Sequence, residues 1–293
     1  MSRRHLAMLA ALSLIWGASF MFIKVAVRAL DPSTLIAARI GIGALTLALI
    51  VPALVGPRRT LAELRRHAPS LVLVGLVNTA APFWLLSWGE TRIDSGLAAI
   101  IQGAVPIFGA VVAFGFFPAQ RVTGLRLAGL GIGFVGVALT VGAQPGGQLL
   151  GALAVVGMAT CYAIGGLLTG HRLAGAPPQV VTLGTTAAAA LAVLGPGIAQ
   201  APAHLPGWKV IGSVLALAVV GTALAYLLFF ALIRGAGFSR ASLVTYLVPP
   251  IALGYGAVFL GESVGVSALA GLVLILAGVA LASRARRPVS LEV

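Results

Sequence analysis

The sequence predicts an all-α membrane protein with ten transmembrane helices, arranged as two five-helix repeats of inverted topology. Three observations support this fold class: ten apolar stretches of about bilayer length, a skewed distribution of Lys and Arg, and an internal repeat. A hydrocarbon core of roughly 30 Å needs about 20 apolar residues of helix. Loops and open sheets cannot face lipid, because each unpaired backbone group costs several kcal/mol there.

The composition leaves little room for a soluble domain. Hydrophobic residues make up 60% of the chain and charged residues 9%, whereas a soluble domain carries about 25% charged residues. The connections between apolar stretches are also short. The predicted spans are 6–27, 33–55, 69–89, 94–117, 123–143, 149–171, 178–199, 210–233, 240–260 and 265–283.

The basic residues predict the orientation of the chain. If the N-terminus is cytoplasmic, 14 of the 19 Lys and Arg residues lie on the cytoplasmic side, and Lys24, Arg28, Arg92 and Lys209 lie opposite. This positive-inside bias places both termini in the cytoplasm of a bacterium, with the protein in the cytoplasmic (inner) membrane. The net charge of +13 therefore orients the protein and does not indicate a nucleic-acid partner. The first span is interpreted as an uncleaved helix rather than a signal peptide.

The chain contains an internal repeat. Residues 127–139 match residues 269–281 at eight of 13 positions, and Pro106 pairs with Pro249 at a similar offset. The repeats are predicted to be residues 1–145 and 146–293, with five spans each. Because five is odd, the second repeat enters the membrane from the opposite side. Inverted repeats are typical of carriers that bind substrate near the midplane and work by alternating access.

Several short motifs link the chain to a known family. They are Trp-Gly-Ala-Ser-Phe at 16–20 running to Lys24, Pro32 followed by Arg39, Ser-Gly-Leu-Ala-Ala at 95–99 with Val-Pro at 105–106, Leu-Val-Pro-Pro at 247–250 and Phe-Leu-Gly-Glu at 259–262. With these motifs the chain resembles the EamA-type branch of the drug/metabolite transporter superfamily. The resemblance implies ten helices and export of amino acids, including aromatic ones, or of other small metabolites. The first repeat departs from the Leu-Gly-Glu pattern, since it reads Phe-Pro-Ala-Gln at 117–120.

Repeat-equivalent residues near the middle of the membrane are candidates for a substrate cavity. Trp16 aligns with Tyr162, and this pair either stacks on a planar substrate or packs at a helix crossing. Aromatic residues with a polar group usually lie at the membrane surface instead. Polar or aromatic groups at matching depths in both repeats predict a lined path. The further candidates are Phe83 and its equivalent Tyr226, Gln102 and its equivalent Thr245, and the neighbouring Ser242 and Tyr246.

The third span carries two more candidates for substrate binding. Asn78 lies about halfway along it and either binds substrate or hydrogen-bonds a neighbouring helix. Trp84 points roughly 120° away from Asn78 at 100° per residue, so the two cannot share one narrow groove. Trp84 is either a cavity residue or an interfacial anchor.

Arg39, Pro106 and Pro249 are unusual residues for the inside of a span. Arginine at the centre of a span costs about 2.5–3.5 kcal/mol. Arg39 either snorkels outward, bonds to carbonyl groups, or attracts a substrate carboxylate together with Lys24. The paired prolines are expected to kink their helices and act as gates, or merely to shape the bundle.

The six acidic residues, Asp31, Glu63, Glu90, Asp94, Glu262 and Glu292, all fall near span ends or in loops. Proton-coupled carriers usually need an ionisable group inside the membrane. The sequence therefore favours facilitated transport, with Glu90 and Asp94 as solvated charges beside Arg92. Proton coupling through Glu90 is the alternative.

The pattern predicts a transporter and not an enzyme. No catalytic constellation, cofactor or metal is expected, and the dinucleotide-like Gly-x-Gly-x-x-Gly at 131–136 lies in an apolar helix. The predicted function is export of small metabolites, with amino acids, including aromatic ones, as the favoured substrates. The alternatives are a proton-coupled drug/metabolite antiporter and a non-transporting membrane assembly subunit. The expected partners are a small-molecule substrate and the lipid bilayer, and the protein is expected to be a monomer or homodimer.

Overall fold

The described part of the chain consists of helices joined by turns and short loops, and it contains no strand. The computed structural model describes residues 1–116, 124–142 and 146–284; the Phe-Pro-Ala-Gln segment at 117–120 and Arg121, Arg286 and Arg287 lie outside it. The helices are α1 Arg3–Ala26, α2 Pro32–Val55, α3 Pro57–Arg66, α4 Ala68–Glu90, α5 Ser95–Gln102, α6 Val105–Phe116, α7 Leu125–Gly142, α8 Gly146–Arg172, α9 Pro178–Ala199, α10 Trp208–Ala236, α11 Phe238–Ala241, α12 Val244–Leu260 and α13 Val266–Arg284.

The helices agree with a multi-span membrane protein. Seven stretches of the described chain are long and apolar enough to cross a membrane, and three shorter apolar stretches lie in α7, α12 and α13. Two predicted spans contain an interruption that the sequence did not predict. The span 94–117 is broken after Gln102 and resumes as α6, and the span 240–260 becomes the short α11 followed by α12.

Two helices contain a π-helical segment, at Leu76–Ala80 in α4 and Ala216–Leu224 in α10. These segments coincide with the repeat alignment, in which Asn78 and Thr79 pair with Gly221 and Thr222. The wider turn changes which backbone carbonyls are free for side chains. In α10 the Thr222 hydroxyl donates to the carbonyl of Leu217, five residues earlier, at 2.9 Å.

Helices from the first half of the chain pack against helices from the second half. The first helix α1 contacts α10 and α12 from the second half, and α8 contacts α4, α5 and α6 from the first. The remaining principal pairs are α2 with α9 and α7 with α13. Each of these contacts joins one half of the chain to the other, so neither half buries its apolar surface alone.

The α7–α13 pair has a reciprocal glycine seam. A Cβ on Gly129 would lie 2.7 Å from the carbonyl oxygen of Gly278, and a Cβ on Gly136 would lie 2.9 Å from that of Gly271. In the repeat alignment Gly129 corresponds to Gly271 and Gly136 to Gly278. The contact is therefore self-complementary, as expected across a two-fold axis. It also assigns a packing role to Gly136 of the dinucleotide-like motif.

Candidate functional site

A cavity with a volume of about 410 Å³ lies between the two halves. This volume is within the range of small-molecule sites, about 300–1,000 Å³. Its wall combines aromatic side chains with a few polar groups. The lining residues are Trp16, Ser19, Phe20, Ile23, Arg39, Phe83, Leu86, Ala99, Gln102, Gly103, Val105, Tyr162, Gly221, Tyr226, Phe229, Ser242, Val244, Thr245, Val248 and Pro249.

The aromatic wall is built around Trp16. Its ring centroid lies 6.1 Å from that of Tyr226, edge-on, and 5.4 Å from that of Phe229. Its indole Nε1 donates to the carbonyl of Gly221 at 3.3 Å, in the π-helical segment of α10. Tyr162, its repeat equivalent on α8, also lines the cavity. Such faces suit a planar or apolar ligand group.

Arg39 supplies a positive charge to the cavity wall. Its side chain is 5% exposed, so outward snorkelling is wrong. The Nε group donates to the Thr222 hydroxyl at 3.3 Å, and the guanidinium carbon lies 4.1 Å from the centroid of the Phe83 ring. Within the residues described, the only acid–base pair closer than 4.0 Å is His67–Glu63, so Arg39 has no carboxylate partner. A buried charge without a counter-charge is costly, and a ligand carboxylate would offset that cost.

Broken helices bring polar groups to the cavity. The interruption between α5 and α6 places Gln102 and Gly103 in the wall, and the one between α11 and α12 places Ser242 and Thr245 there. A Cβ on Gly103 would lie 3.1 Å from Cγ of Pro249, so the two helices cross closely at this point. Helix breaks at a cavity are a common way for carriers to expose backbone groups to a substrate.

Four predicted residues lie outside this cavity. Asn78 lines a separate cavity of about 90 Å³, among threonines of α4, α8 and α9, which it shares with Tyr226. Trp84 is 37% exposed and stacks on Trp88, and its Nε1 donates to the hydroxyl of Ser33 on α2 at 3.1 Å. Tyr246 packs against the apolar core, and Pro106 is exposed at the start of α6.

Some cavity residues were not predicted, although α1 carried a usable signal. Trp16, Ser19, Phe20 and Ile23 follow the i, i+3, i+4, i+7 spacing of one helix face. Once Trp16 is taken as a cavity residue, this stripe identifies the other three. Phe229 follows Tyr226 by three residues and has the same signal.

A polar layer, formed by Lys24, Glu90, Ser95 and Glu262, ties the helix ends together beside the cavity. Lys24 Nζ donates to the carbonyls of Glu90 at 2.8 Å and Ile93 at 2.7 Å. The Glu262 carboxylate accepts from Ser95 N at 2.9 Å, Ser95 Oγ at 2.9 Å and Gly96 N at 3.1 Å. Glu262 thereby caps the first turn of α5, where a negative charge is favoured.

The Phe-Leu-Gly-Glu motif explains how Glu262 reaches α5. Gly261 ends α12 in the left-handed region, with φ 68°, and the Glu262 amide donates to the carbonyl of Gly256 at 3.1 Å. A side chain at position 261 would be strained in this conformation, so glycine is favoured. The turn aims the next side chain back across the bundle.

Glu90 is not the solvated charge that the sequence predicts. Its side chain is 0% exposed, and both carboxyl oxygens are buried without a hydrogen-bond partner in the described structure. Arg92 does not neutralise it, since Arg92 instead donates to the Trp88 carbonyl and stacks on the Trp88 ring. Asp94 is exposed, as predicted. Partial burial, and secondarily the nearby Glu262 carboxylate, raise the pKa of Asp94, while Lys24 opposes this.

Comparisons with known proteins agree with a carrier fold. The model of the EamA-like transporter family matches the chain twice, at residues 4–142 and 149–284. A probable terminal-alkyne amino-acid exporter of Streptantibioticus cattleyicolor is 27% identical, over 92% of this chain and 90% of that protein. A probable amino-acid metabolite efflux pump of Salmonella typhimurium is 27% identical, over 95% and 94%. One solved structure, 20% identical, has a TM-score of 0.67 and covers 97% of this chain and 98% of its own.

Proposed function

The chain belongs to the EamA-like transporter family, and on this premise we propose that it exports amino acids, including aromatic ones, by alternating access. The observation that carries the proposal is the Arg39 guanidinium, buried without a carboxylate partner in an aromatic cavity of about 410 Å³. Two relatives of similar length are named for amino-acid or amino-acid metabolite export.

An amino acid matches the cavity group by group. Its carboxylate would pair with Arg39, which can offer two parallel N–H groups. An aromatic side chain would lie against Trp16 and Phe229, where the rings are already arranged around an open space. Gln102 and the hydroxyl groups at the break between α11 and α12 would accept hydrogen bonds from the ammonium group.

The transport cycle follows from ten spans in two inverted halves. Seven long apolar helices and three shorter ones in the described chain support a count of ten spans, and the family model matches two separate stretches of similar length. The self-complementary α7–α13 seam supports a two-fold relation between them. Rocking of one half on the other would then expose the shared cavity to each face in turn.

Pro249 is proposed as a gate at the close contact with Gly103, where α12 crosses the end of α5. It is buried and lines the cavity, whereas Pro106 is exposed. Pro106 is therefore not proposed as a gate itself. Its contribution is limited to the start of α6, which follows the break after α5. The proposed location is the cytoplasmic membrane of a bacterium with both termini inside, supported by the distribution of Arg residues.

The test is counterflow of radiolabelled phenylalanine in proteoliposomes, with competition by unlabelled phenylalanine or phenethylamine, which lacks the carboxylate. We expect the amino acid to compete at least about tenfold better, because a charge-assisted pair contributes about 1.5–3 kcal/mol. In Arg39→Gln the two competitors should become equal. The exposed Arg58→Gln serves as the matched control.

Equal competition in the wild-type protein would exclude Arg39 as the carboxylate site. No counterflow of any amino acid would contradict the proposed function as a whole and favour the non-transporting assembly subunit.

A further inference from the structure

Glu90 is a buried acid without a partner. It is the last residue of α4, is fully buried, and neither carboxyl oxygen has a hydrogen-bond partner among the described residues. A buried carboxylate ion without a partner costs several kcal/mol, whereas the neutral acid costs much less. In this conformation the group is therefore suited to hold a proton.

The charged neighbours of Glu90 all bind other groups. The residues that interact electrostatically with Glu90 are Lys24, Glu262 and Arg39. Lys24 donates to two backbone carbonyls, and Glu262 caps α5. Arg39 is held by Thr222 and Phe83. In the described structure neither Lys24 nor Arg39 forms an ion pair with Glu90 within 4.0 Å, and Glu262 carries the same sign of charge as a Glu90 carboxylate.

The other packed elements do not supply a counter-charge either. Where α8 meets the end of α4, a Cβ on Gly89 would touch Val155 and the Gly151 carbonyl. The surface of α8 at this contact therefore consists of apolar side chains and backbone atoms. The titratable residues of the central part of α8, Cys161 and Tyr162, come later in that helix. On the turn after α4, Arg92 is bound to Trp88 and Asp94 is exposed.

Glu90 is also close to the proposed substrate cavity. Leu86, one turn earlier on the same face of α4, lines the cavity, and so does Ile23, which directly precedes Lys24. The carboxyl thus lies in the layer that separates the cavity from one end of the bundle. Opening of that end would have to break the Glu262 contacts to α5 and would admit water to Glu90.

We propose that Glu90 is a proton-binding site that couples transport to a proton gradient. The inference rests on the proposed export function. While the end of the bundle beside Glu90 is closed, Glu90 is shielded from water and holds its proton. When this end opens, water and the Lys24 ammonium stabilise the carboxylate, and the proton exchanges with the outside. An exporter can use an inward proton gradient only by exchange, so one proton enters as one substrate leaves.

The experiment measures steady-state accumulation of phenylalanine in proteoliposomes with an acidic interior, with the membrane voltage clamped to zero. Exchange of one proton per substrate allows up to about tenfold accumulation for one pH unit. We expect the wild-type protein to accumulate substrate and Glu90→Gln to stop at equal concentrations. The steady state does not depend on the transport rate, so a merely slower variant would still accumulate substrate.

Asp94→Asn is the matched control, because it removes an exposed acid four residues away and should accumulate substrate as the wild type does. A second readout is the infrared band of a protonated carboxylic acid, expected in the purified wild type and absent in Glu90→Gln. Counterflow without gradient-driven accumulation in the wild type would overturn this inference and leave the proposed function intact. Accumulation by Glu90→Gln would overturn it too. Absence of counterflow in the wild type would instead refute the proposed function.

Discussion

Arg39 is oriented by the hydroxyl group of Thr222. The hydroxyl accepts from Arg39 Nε at 3.3 Å and donates its own proton to the Leu217 carbonyl at 2.9 Å. That carbonyl is available because α10 is π-helical there. The hydroxyl therefore has a fixed direction and presents a lone pair to the guanidinium.

Thr222→Val should weaken substrate binding without unfolding the protein. Valine has nearly the same shape but cannot accept the Arg39 hydrogen bond, which is worth about 1–1.5 kcal/mol net. We expect KM for phenylalanine to rise about fivefold to tenfold, with little change in kcat. Thr46→Val is the control, because its hydroxyl bonds only to the Ile42 carbonyl in its own helix. A changed kcat at constant KM would contradict a positioning role.

Which residues line the cavity could be predicted where one helix face decides it, while their role in substrate binding remains a prediction. Trp16, Phe83 and Tyr226 line the cavity as the repeat alignment predicts. Trp84 does not, because the phase of α4 turns it towards Ser33 and α2. Glu90 was predicted wrongly for a different reason. Its burial depends on α1 and α8, which lie far away in the sequence, and an acid at a helix end otherwise resembles a loop charge.

The helix α5 depends on a cap from the other half of the chain. It has eight residues, and its N-terminal residue Asp94 makes no side-chain cap hydrogen bond. Glu262 takes over that role with three hydrogen bonds from the start of α5. The break after Gln102 and the π-helical segments have no clear sequence signal, because tertiary packing outweighs local propensity there. The apolar spans were readable from composition, whereas the short helix α3 was not predicted.

Glu262→Ala should favour the state in which this end of the bundle is open. Loss of the charged cap removes about 1.5–3 kcal/mol from the closed state, which shifts the equilibrium about tenfold to a hundredfold. A cysteine placed at the buried Ile93 in a Cys161→Ser protein should then react faster with an impermeant maleimide. Glu262→Gln, which keeps an acceptor but loses the charge, should give an intermediate rate. Unchanged labelling in Glu262→Ala would show that the Glu262 cap on α5 does not hold this end of the bundle closed.

The whole molecule is held together by contacts between its halves. The pairs α1–α12, α2–α9, α7–α13 and α8–α4 each join one half to the other. A repeat was predictable because similar apolar helices recur at a constant offset, and the family model matches two stretches of the chain. The inverted orientation of the two halves remains a prediction. The way in which the halves interlock was not predictable, since many helix pairings have the same apolar pattern.

In the proposed ten-span topology, both termini and the loop at α3 lie on one side of the membrane, and the loop at 200–207 lies on the other. In a Cys161→Ser protein, Leu205→Cys is strongly exposed and should react with an impermeant maleimide in intact cells. Arg59→Cys, on the exposed face of α3, should react only after permeabilisation. Labelling of both positions in intact cells would contradict the ten-span topology.

The glycine seam between α7 and α13 has a consequence for the surrounding lipid. The helices α7 and α13 have 18 and 19 described residues, which is about 27 and 28 Å at 1.5 Å per residue and close to the roughly 30 Å of a typical hydrocarbon core. Large apolar side chains on both helices, such as Val135 and Val273, are exposed and face outward. In a bilayer these side chains would contact the acyl chains directly. A membrane thicker or thinner than the two helices would then deform along this flank, at a cost of a fraction of a kcal/mol per Å of mismatch.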